Sequence, residues 1–218
     1  MNKKVLIIAA HPDDELLGCG GAIIRHVQSG DIVNAIILCE GESMRSQDSN
    51  NKANAITEAG NLLGLSSVKC VGLPDQHLDA IPIVEVITPI ESAINDFKPN
   101  IIYVHSGADI NKDHRIVFEA TLVAARPKVD FIEEIYSFYI VGSSEWGYPR
   151  SFSPDTWIGF DEEVLLQKIK AFSSYETEIC DYPNPRSPEA LVNLAKMMGN
   201  QCCMEYAEAF ETIRRVFR

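Results

Sequence analysis

The chain has few basic residues. Its 218 residues include 19 lysines and arginines against 31 aspartates and glutamates, which gives a formal net charge of −12. A protein of this charge repels the phosphate backbone of a nucleic acid, and no concentrated stripe of lysine or arginine offsets the repulsion. We therefore expect no nucleic-acid partner.

Long apolar runs and paired cysteines are also missing. No segment approaches the roughly 20 apolar residues of a transmembrane helix. Only six apolar residues, 5–10, precede His11, which is short of the roughly 7–15 that a secretory signal needs. The six cysteines show no Cys-x-x-Cys spacing. The sequence therefore predicts a reduced, cytoplasmic protein with no membrane span.

Two further motifs are absent. No Gly-x-Ser-x-Gly elbow occurs, which disfavours a serine hydrolase. Gly18, Gly20 and Gly21 follow the first apolar run as in a dinucleotide-binding loop, but Ile23 stands where that fingerprint needs another glycine. A Rossmann-like nucleotide-binding module stays open as an alternative, which dinucleotide titration would separate from a metalloenzyme.

Hydrophobic periodicity alternates along the chain, which predicts an α/β fold with a mostly parallel sheet and helices on both faces. The predicted strands are 4–10, 32–39, 68–71, 101–105, 131–140 and 156–160. The predicted helices are 16–28, 52–63, 83–97, 114–125, 162–173 and 188–198. The segment 206–217 is compatible with either a helix or a last strand. Two long polar loops, 41–51 and 142–154, are predicted to lie over the sheet edge as substrate-binding flaps.

Two polar clusters follow predicted strands. His11-Pro12-Asp13-Asp14-Glu15 comes after the run 5–10, and Asn111-Lys112-Asp113-His114 follows the strand at 101–105. If the two strands are neighbours in a parallel sheet, the clusters meet at its carboxyl edge, where open α/β sheets bind ligands. Two histidines and one aspartate there would make an open zinc site.

The residue types suggest a role for each member of these clusters. We expect His11, Asp14 and His114 to bind zinc. Consecutive side chains point in different directions, so Asp13 can face the attacking water as a general base while Asp14 binds the metal. Asp113, next to a ligand, is expected to orient Asp13 or a histidine.

Three further residues are candidates, each with a structural alternative. His105 ends a strand on the same edge, so it is either catalytic or a buried structural histidine. Arg45, in the first polar loop, either contacts a sugar hydroxyl or phosphate or is a solvated charge. Trp146, in the second loop, either stacks on a sugar ring or packs under the loop.

Ala10-His11-Pro12-Asp13-Asp14-Glu15, with the following glycines and Asn111-Lys112-Asp113-His114-Arg115, resembles the PIG-L/LmbE-like family of zinc-dependent N-deacetylases. The resemblance covers most of the chain, through Leu63-Gly64, Gly72-Leu73-Pro74-Asp75, Ser143-Ser144-Glu145-Trp146, Pro185-Arg186-Ser187 and Ala207-Glu208-Ala209-Phe210, which are similar to bacterial sugar-modifying members.

The resemblance implies a Rossmann-like three-layer sandwich. It implies one LmbE-like deacetylase domain over 1–218, with a Rossmann-like core at 1–127 that 128–218 complete. The implied reaction removes an N-acetyl group from an amino sugar or glycoconjugate, with metal-bound water attacking the amide carbonyl. The family's zinc ligands fall on His11, Asp14 and His114, and its base falls on Asp13.

One position departs from the family pattern. Many relatives have a histidine three residues before the second metal histidine, where this chain has Asn111. Asparagine donates a hydrogen bond but delivers no proton, so the general acid is either Asp13, recycling its proton, or His105. This departure also leaves an inactive metal-binding scaffold open.

Two implications concern contacts beyond the metal. Arg186 resembles a family feature and is expected to reach the substrate pocket or a neighbouring subunit. Relatives assemble, so a homo-oligomer is an expected state by analogy. The expected partner is a small N-acetylated sugar or sugar conjugate.

Overall fold

The computed structural model describes residues 2–40, 49–149 and 151–217. The strands are β1 (Lys4–Ala9), β2 (Ile32–Cys39), β3 (Ser67–Leu73), β4 (Ile101–His105), β5 (Glu134–Phe138), β6 (Thr156–Phe160) and β7 (Tyr206–Arg215). The helices are α1 (Asp14–Gln28), α2 (Ser49–Leu63), α3 (Ile83–Phe97), α4 (Lys112–Ala124), α5 (Glu162–Phe172) and α6 (Pro188–Cys202).

All seven strands join one sheet, in the order β3-β2-β1-β4-β5-β7-β6. The first five strands of that order run parallel, and β7 pairs antiparallel with both β5 and β6. The chain moves outward from β1 to β3 and then returns to place β4 on the other side of β1. The carboxyl ends of β1 and β4 therefore flank the switch point at which α/β folds bind ligands.

Side chains on β1 alternate between two cores, as the period of two along a strand requires. Val5, Ile7 and Ala9 pack with α1, α2, α5 and α6 on one face of the sheet. Leu6 and Ile8 pack with α3 and α4 on the other face. The predicted three-layer α/β sandwich with a mostly parallel sheet is confirmed.

The segment at 206–217, for which the sequence allowed either a helix or a last strand, contains the strand β7, which lies between β5 and β6. Other boundaries differ from those predicted. The helix predicted from 52 begins at Ser49, so the end of the predicted loop 41–51 is helical, and 41–48 lie outside the described residues. The loop predicted at 142–154 contains a short 3₁₀ helix, Ser144–Trp146.

The glycines near the start of α1 allow the helix to approach the sheet closely. A Cβ atom at Gly18 would lie 2.2 Å from Cδ2 of Phe138, and one at Gly21 would lie 2.5 Å from Cε1 of Phe160. The space beside these glycines is thus filled by aromatic rings of β5 and β6. Over the described ranges, none of the helices has the length and hydropathy needed to cross a membrane.

Candidate metal centre

The turn after β1 sends two consecutive carboxylates to different partners. Asp13 has φ 95° and ψ −26°, a left-handed conformation that aspartate tolerates better than most residues. Asp14 then begins α1, and its Oδ2 accepts a hydrogen bond of 2.8 Å from the backbone N–H of His11. Asp13 Oδ2 instead contacts Nη1 of Arg186. The left-handed residue therefore separates the two acids, as the sequence predicted from their adjacency.

Three donor atoms converge where β1 and β4 end. Nδ1 of His11 lies 3.2 Å from Oδ2 of Asp14 and 3.3 Å from Nε2 of His114, and the third side of the triangle is 3.4 Å. Ligands at about 2.0–2.2 Å from a tetrahedral zinc ion stand about 3.4 Å apart. The spacing and the donor types of the three side chains are compatible with a zinc ion. The fold thus brings His11 and His114 together from positions 103 residues apart.

The far nitrogen of His11 faces two further carboxylates. Nε2 lies 3.2 Å from Oδ2 of Asp113 and 3.1 Å from Oδ1 of Asp75. The other oxygen of Asp113 accepts the N–H of Leu78 at 3.2 Å, which fixes the carboxylate. Burial lowers the pKa of His11, but hydrogen bonds to Asp113, Asp14 and Asp75 outweigh it and raise the pKa above the ordinary value. Asp113 therefore contacts His11, one of the partners considered for it, and its role in orienting that ring stays a prediction.

Asp109 occupies the equivalent position behind His114, and the sequence reasoning missed it. Its Oδ2 lies 3.3 Å from Nδ1 of His114 and accepts the hydroxyl of Ser144 at 2.6 Å. Its Oδ1 accepts the hydroxyl of Ser143 and the N–H of Asn111. Burial raises the pKa of Asp109, but bonds from His114 and the serines bring it down to about 2. In the sequence, the feature that could have identified Asp109 as a site residue is its position two residues before Asn111.

His105 supports the site from within the sheet. Its side chain is fully buried, and Nε2 accepts the backbone N–H of Ala10 at 2.9 Å. Its ring stacks on His114 with centroids 3.9 Å apart. Burial, with the charge of His114, lowers the pKa of His105 to about 4. Nε2 also lies 3.3 Å from Oδ2 of Asp14, so His105 contacts the triangle, and its catalytic role stays a prediction.

Asp13 is held by an arginine from a distant loop. Arg186 contacts Asp13 and also donates from Nη1 to Oε2 of Glu178 at 2.7 Å. Asp13 is only 2% exposed, and burial raises the pKa of its carboxyl well above the ordinary value although Arg186 opposes the shift. Arg186 therefore reaches the site, where it contacts the predicted base.

Glu15, the third acid of the motif, has its own partners. Tyr175 donates to Oε1 at 2.6 Å, and the N–H of Asp13 donates to Oε2 at 3.2 Å. Burial raises the pKa of Glu15 to about 7, against the effect of the Tyr175 bond. Glu15 therefore stabilises the turn at Asp13 through its hydrogen bond from the Asp13 N–H.

Three sequence candidates remain: Asn111, Trp146 and Arg45. Asn111 is the N-cap of α4, where its Oδ1 accepts the N–H of Asp113 at 2.9 Å. Trp146 is 71% exposed on the loop that Asp109 anchors through Ser143 and Ser144. Arg45 lies outside the described residues.

The start of α1 is a poor site for a dinucleotide. A pyrophosphate binds a helix N-terminus through free backbone N–H groups and the positive end of the dipole. Here Asp13, Asp14 and Glu15 place three buried carboxylates at that terminus, and the glycines beyond it face aromatic rings. The local charge therefore favours a cation over a phosphate.

Comparison with known proteins agrees with this chemistry. Residues 6–125 match the family described as PIG-L, GlcNAc-PI de-N-acetylase. The match spans more than half of the chain, and the protein belongs to this family.

Similar proteins and folds cover 80% or more of this chain. The uncharacterized deacetylase YaiS of Escherichia coli K12 is 27% identical over 186 residues, which are 80% of this chain and 91% of YaiS. The structure of N,N'-diacetylchitobiose deacetylase from Pyrococcus horikoshii has a TM-score of 0.80 at 19% identity, covering 97% of this chain and 84% of that one. GalB, the 4-carboxy-2-hydroxymuconate hydratase of Pseudomonas putida KT2440, has the same TM-score of 0.80 and 19% identity, with 99% and 98% covered. These two structures establish the fold.

Proposed function

We propose that the protein is a zinc-dependent hydrolase that removes the N-acetyl group from an amino sugar or a sugar conjugate. The observation that carries the proposal is the triangle of His11 Nδ1, Asp14 Oδ2 and His114 Nε2, with sides of 3.2–3.4 Å at the switch point of the sheet. Family membership over residues 6–125 supports the reaction class.

His11, Asp14 and His114 would hold the ion. Three protein ligands leave a fourth position open, as in hydrolytic zinc sites. Bound zinc supplies Lewis acidity toward an acyl oxygen and makes water a stronger acid. Asp113 and Asp109 lie behind the two imidazoles, and carboxylates in that position fix the orientation of ligand rings.

Asp13 is the general base of the proposed reaction. It is adjacent to a ligand, buried, and turned away from Asp14 by its left-handed backbone. A carboxylate there takes a proton from the attacking water. The same group can return the proton to the leaving amine, since Asn111 carries no transferable proton and its oxygen caps α4. We assign His105 a positioning role instead of that of the acid, which its full burial and its stacking on His114 support.

The substrate is proposed from the relatives and from the loops around the site. The Pyrococcus enzyme is named for a diacetylated disaccharide, which supports an N-acetylated sugar here as well. Trp146 offers an exposed indole for stacking on a sugar ring. Because Arg186 contacts Asp13, its proposed contact with the substrate would be made beside the base.

The test combines amine release with zinc content. Zinc-loaded protein is incubated with N-acetylglucosamine, its malate and inositol conjugates, and diacetylchitobiose, and free amine and acetate are measured. Since GalB shows that the fold also carries a hydratase, 4-carboxy-2-hydroxymuconate belongs in the panel. Equal release of amine and acetate from an acetylated sugar supports the proposal, and hydration without amine release contradicts it.

Two variants test the assigned residues. Asp13→Asn should lower turnover about 10²- to 10⁴-fold, the usual contribution of a general base, and should still bind one zinc ion. His114→Ala should lose the zinc itself, as elemental analysis would show. Asp79→Asn, which changes an acid exposed on the surface, is the control. Full turnover by Asp13→Asn would remove the base assignment.

A further inference from the structure

The first part of α1 carries a proposed metal ligand and is separated from the rest of the helix. Asp13 precedes it in a left-handed conformation, and Cys19 interrupts the helix with φ −148° and ψ 25°. Between them lies the short segment 14–18, which we call the ligand turn because it begins with Asp14. Helical segments shorter than about 12–15 residues are marginal in water. Contacts from other elements must therefore set the orientation of the ligand turn.

A buried ion pair spans the interruption. In an uninterrupted α-helix the carbonyl of Leu17 would accept the N–H of Gly21. Here the Leu17 carbonyl accepts from Nζ of Lys168 at 3.0 Å, and Lys168 donates to Oε1 of Glu208 at 2.7 Å. The same oxygen accepts the N–H of Gly21, and Oε2 accepts that of Ala22, both at 2.8 Å. These contacts, which we call the Lys168–Glu208 bridge, connect the ligand turn to α5, to β7 and to the second part of the helix.

The bridge is not needed to satisfy the backbone groups that it contacts. The side chains of Lys168 and Glu208 are nearly buried, and removing charges from water opposes folding even when they are paired. A continuous helix with apolar side chains at 168 and 208 would satisfy the same groups without a buried charge. The interruption therefore calls for an explanation other than stability.

The position of Asp14 supplies that explanation. Its Oδ2 lies 3.2 Å from Nδ1 of His11 and 3.4 Å from Nε2 of His114, which α4 carries. Zinc–ligand distances vary by only about 0.2 Å between sites. A tilt of the ligand turn about Cys19 would move Asp14 relative to His114 and so disturb the geometry that a zinc ion needs.

We propose that Lys168 and Glu208 are positioning residues, which hold the ligand turn at the angle that brings Asp14 to the metal. This inference rests on the proposed function, because it takes Asp14 as a zinc ligand. Without the bridge, the ligand turn loses its connection to α5 and β7 at Leu17. The affinity for zinc then falls even where the protein stays folded.

The ligand turn keeps a further contact with the segment after α5. Tyr175 donates to Oε1 of Glu15 at 2.6 Å, and this bond does not involve the bridge. Removal of the bridge should therefore weaken zinc binding without abolishing it.

The simpler interpretation is that the ion pair only stabilises the fold. Zinc affinity should then be unchanged in every variant that is fully folded at the temperature of the measurement. The two interpretations differ most for Lys168→Met/Glu208→Leu. This double variant removes both buried charges, so it loses less stability than a variant with one unpaired charge, but it does not restore the bridge.

Zinc titration of the metal-free protein separates the interpretations without relying on activity. Wild type, Lys168→Met/Glu208→Leu and Ile132→Ala compete for zinc with a chromophoric chelator, at a temperature where circular dichroism shows each to be folded. Ile132 is buried in the core on the α3 and α4 face, just before β5 and so at the sheet edge opposite the site. Ile132→Ala is the matched control, because the cavity it leaves lowers stability without touching the bridge.

The double variant should raise the Kd for zinc about 10- to 100-fold, as loss of the contacts that orient metal ligands does. Ile132→Ala should keep the wild-type Kd. In the metal-free double variant the amides of residues 14–18 should also exchange with solvent faster than in wild type, while those of β1 and β4 stay protected.

Three results would overturn the proposal: wild-type zinc affinity in the double variant, unchanged amide exchange at 14–18, or an equal loss of affinity in Ile132→Ala. If the double variant does not fold, Glu208→Gln keeps the side-chain volume but only one acceptor oxygen, and it is titrated in its place with the same expectation. A wild type that binds no zinc refutes the proposed function and this inference with it. Zinc binding without amine release refutes the reaction alone, and the zinc affinities still decide the positioning role.

Discussion

Glu208 is expected to be one of the most sensitive positions for stability, because it joins the two halves of a broken helix. The backbone of α1 leaves helical geometry at Cys19, with φ −148° and ψ 25°. On β7, Glu208 accepts the N–H groups of Gly21 and Ala22, each at 2.8 Å. Lys168 donates to Glu208 at 2.7 Å and to the carbonyl of Leu17 at 3.0 Å. This buried ion pair replaces hydrogen bonds that the helix loses at its break.

Glu208→Ala leaves a buried ammonium and two backbone donors without their acceptor. The Lys168 and Glu208 side chains are only 7% and 8% exposed, so solvent does little to compensate. Removing one partner of a buried pair costs about 3–5 kcal/mol. At about 2–4 °C per kcal/mol for a domain of this size, Tm should fall by roughly 6–20 °C.

Thermal and urea unfolding followed by circular dichroism measure this effect. Asp79→Asn breaks an exposed pair with Lys112 and should melt with wild type. Lys168→Met/Glu208→Leu removes both charges together and should lose less than Glu208→Ala. A Tm for Glu208→Ala within about 2 °C of wild type, or a double variant less stable than the single one, would refute this reasoning.

Two further predictions concern packing and metal binding. Gly18→Ala places a Cβ 2.2 Å from Phe138, and urea unfolding should show a loss of about 1–3 kcal/mol in stability from overpacking. Gly20→Ala places its Cβ 3.1 Å from the flexible Lys168 side chain and should cost less in the same titration. A larger loss for Gly20→Ala than for Gly18→Ala would contradict the packing argument. Zinc added to chelator-treated protein should raise the free energy of unfolding by about 2.7 kcal/mol at 100 times Kd, and His114→Ala should show no such gain in a melting experiment.

The convergence of His11, Asp14 and His114 could be predicted because its parts are local. His11 and Asp14 are three residues apart in one turn, and His114 is the last residue of the polar cluster at 111–114, which follows the buried strand β4. The sequence alone did not show that β1 and β4 are neighbours in the sheet. In the structure these two strands pair in parallel, with Val5 opposite Ile101. Both strands are nearly continuous apolar runs, as in strands that are covered on both faces, and all five residues of β4 are buried.

The supporting contacts were less predictable because they join segments far apart in the chain. The carboxylate of Asp109 is held by hydrogen bonds from Ser143 and Ser144, which lie more than 30 residues away in the chain. Arg186 reaches Asp13 across 173 residues. The segment that became β7 carries no decisive period, and its strand character depends on β5 and β6 being available on either side. These contacts therefore become visible only once the strands are assembled into the sheet.

The origin of the triangle in two turns 103 residues apart has a thermodynamic consequence. In the denatured ensemble these turns are not held together, so an ion that prefers the assembled geometry binds the native state selectively. Metal affinity and native-state population then become linked quantities. A substitution that weakens the packing of β1 against β4, even far from the ligands, should raise the apparent dissociation constant for the metal. This rise should be measurable before any change in catalysis.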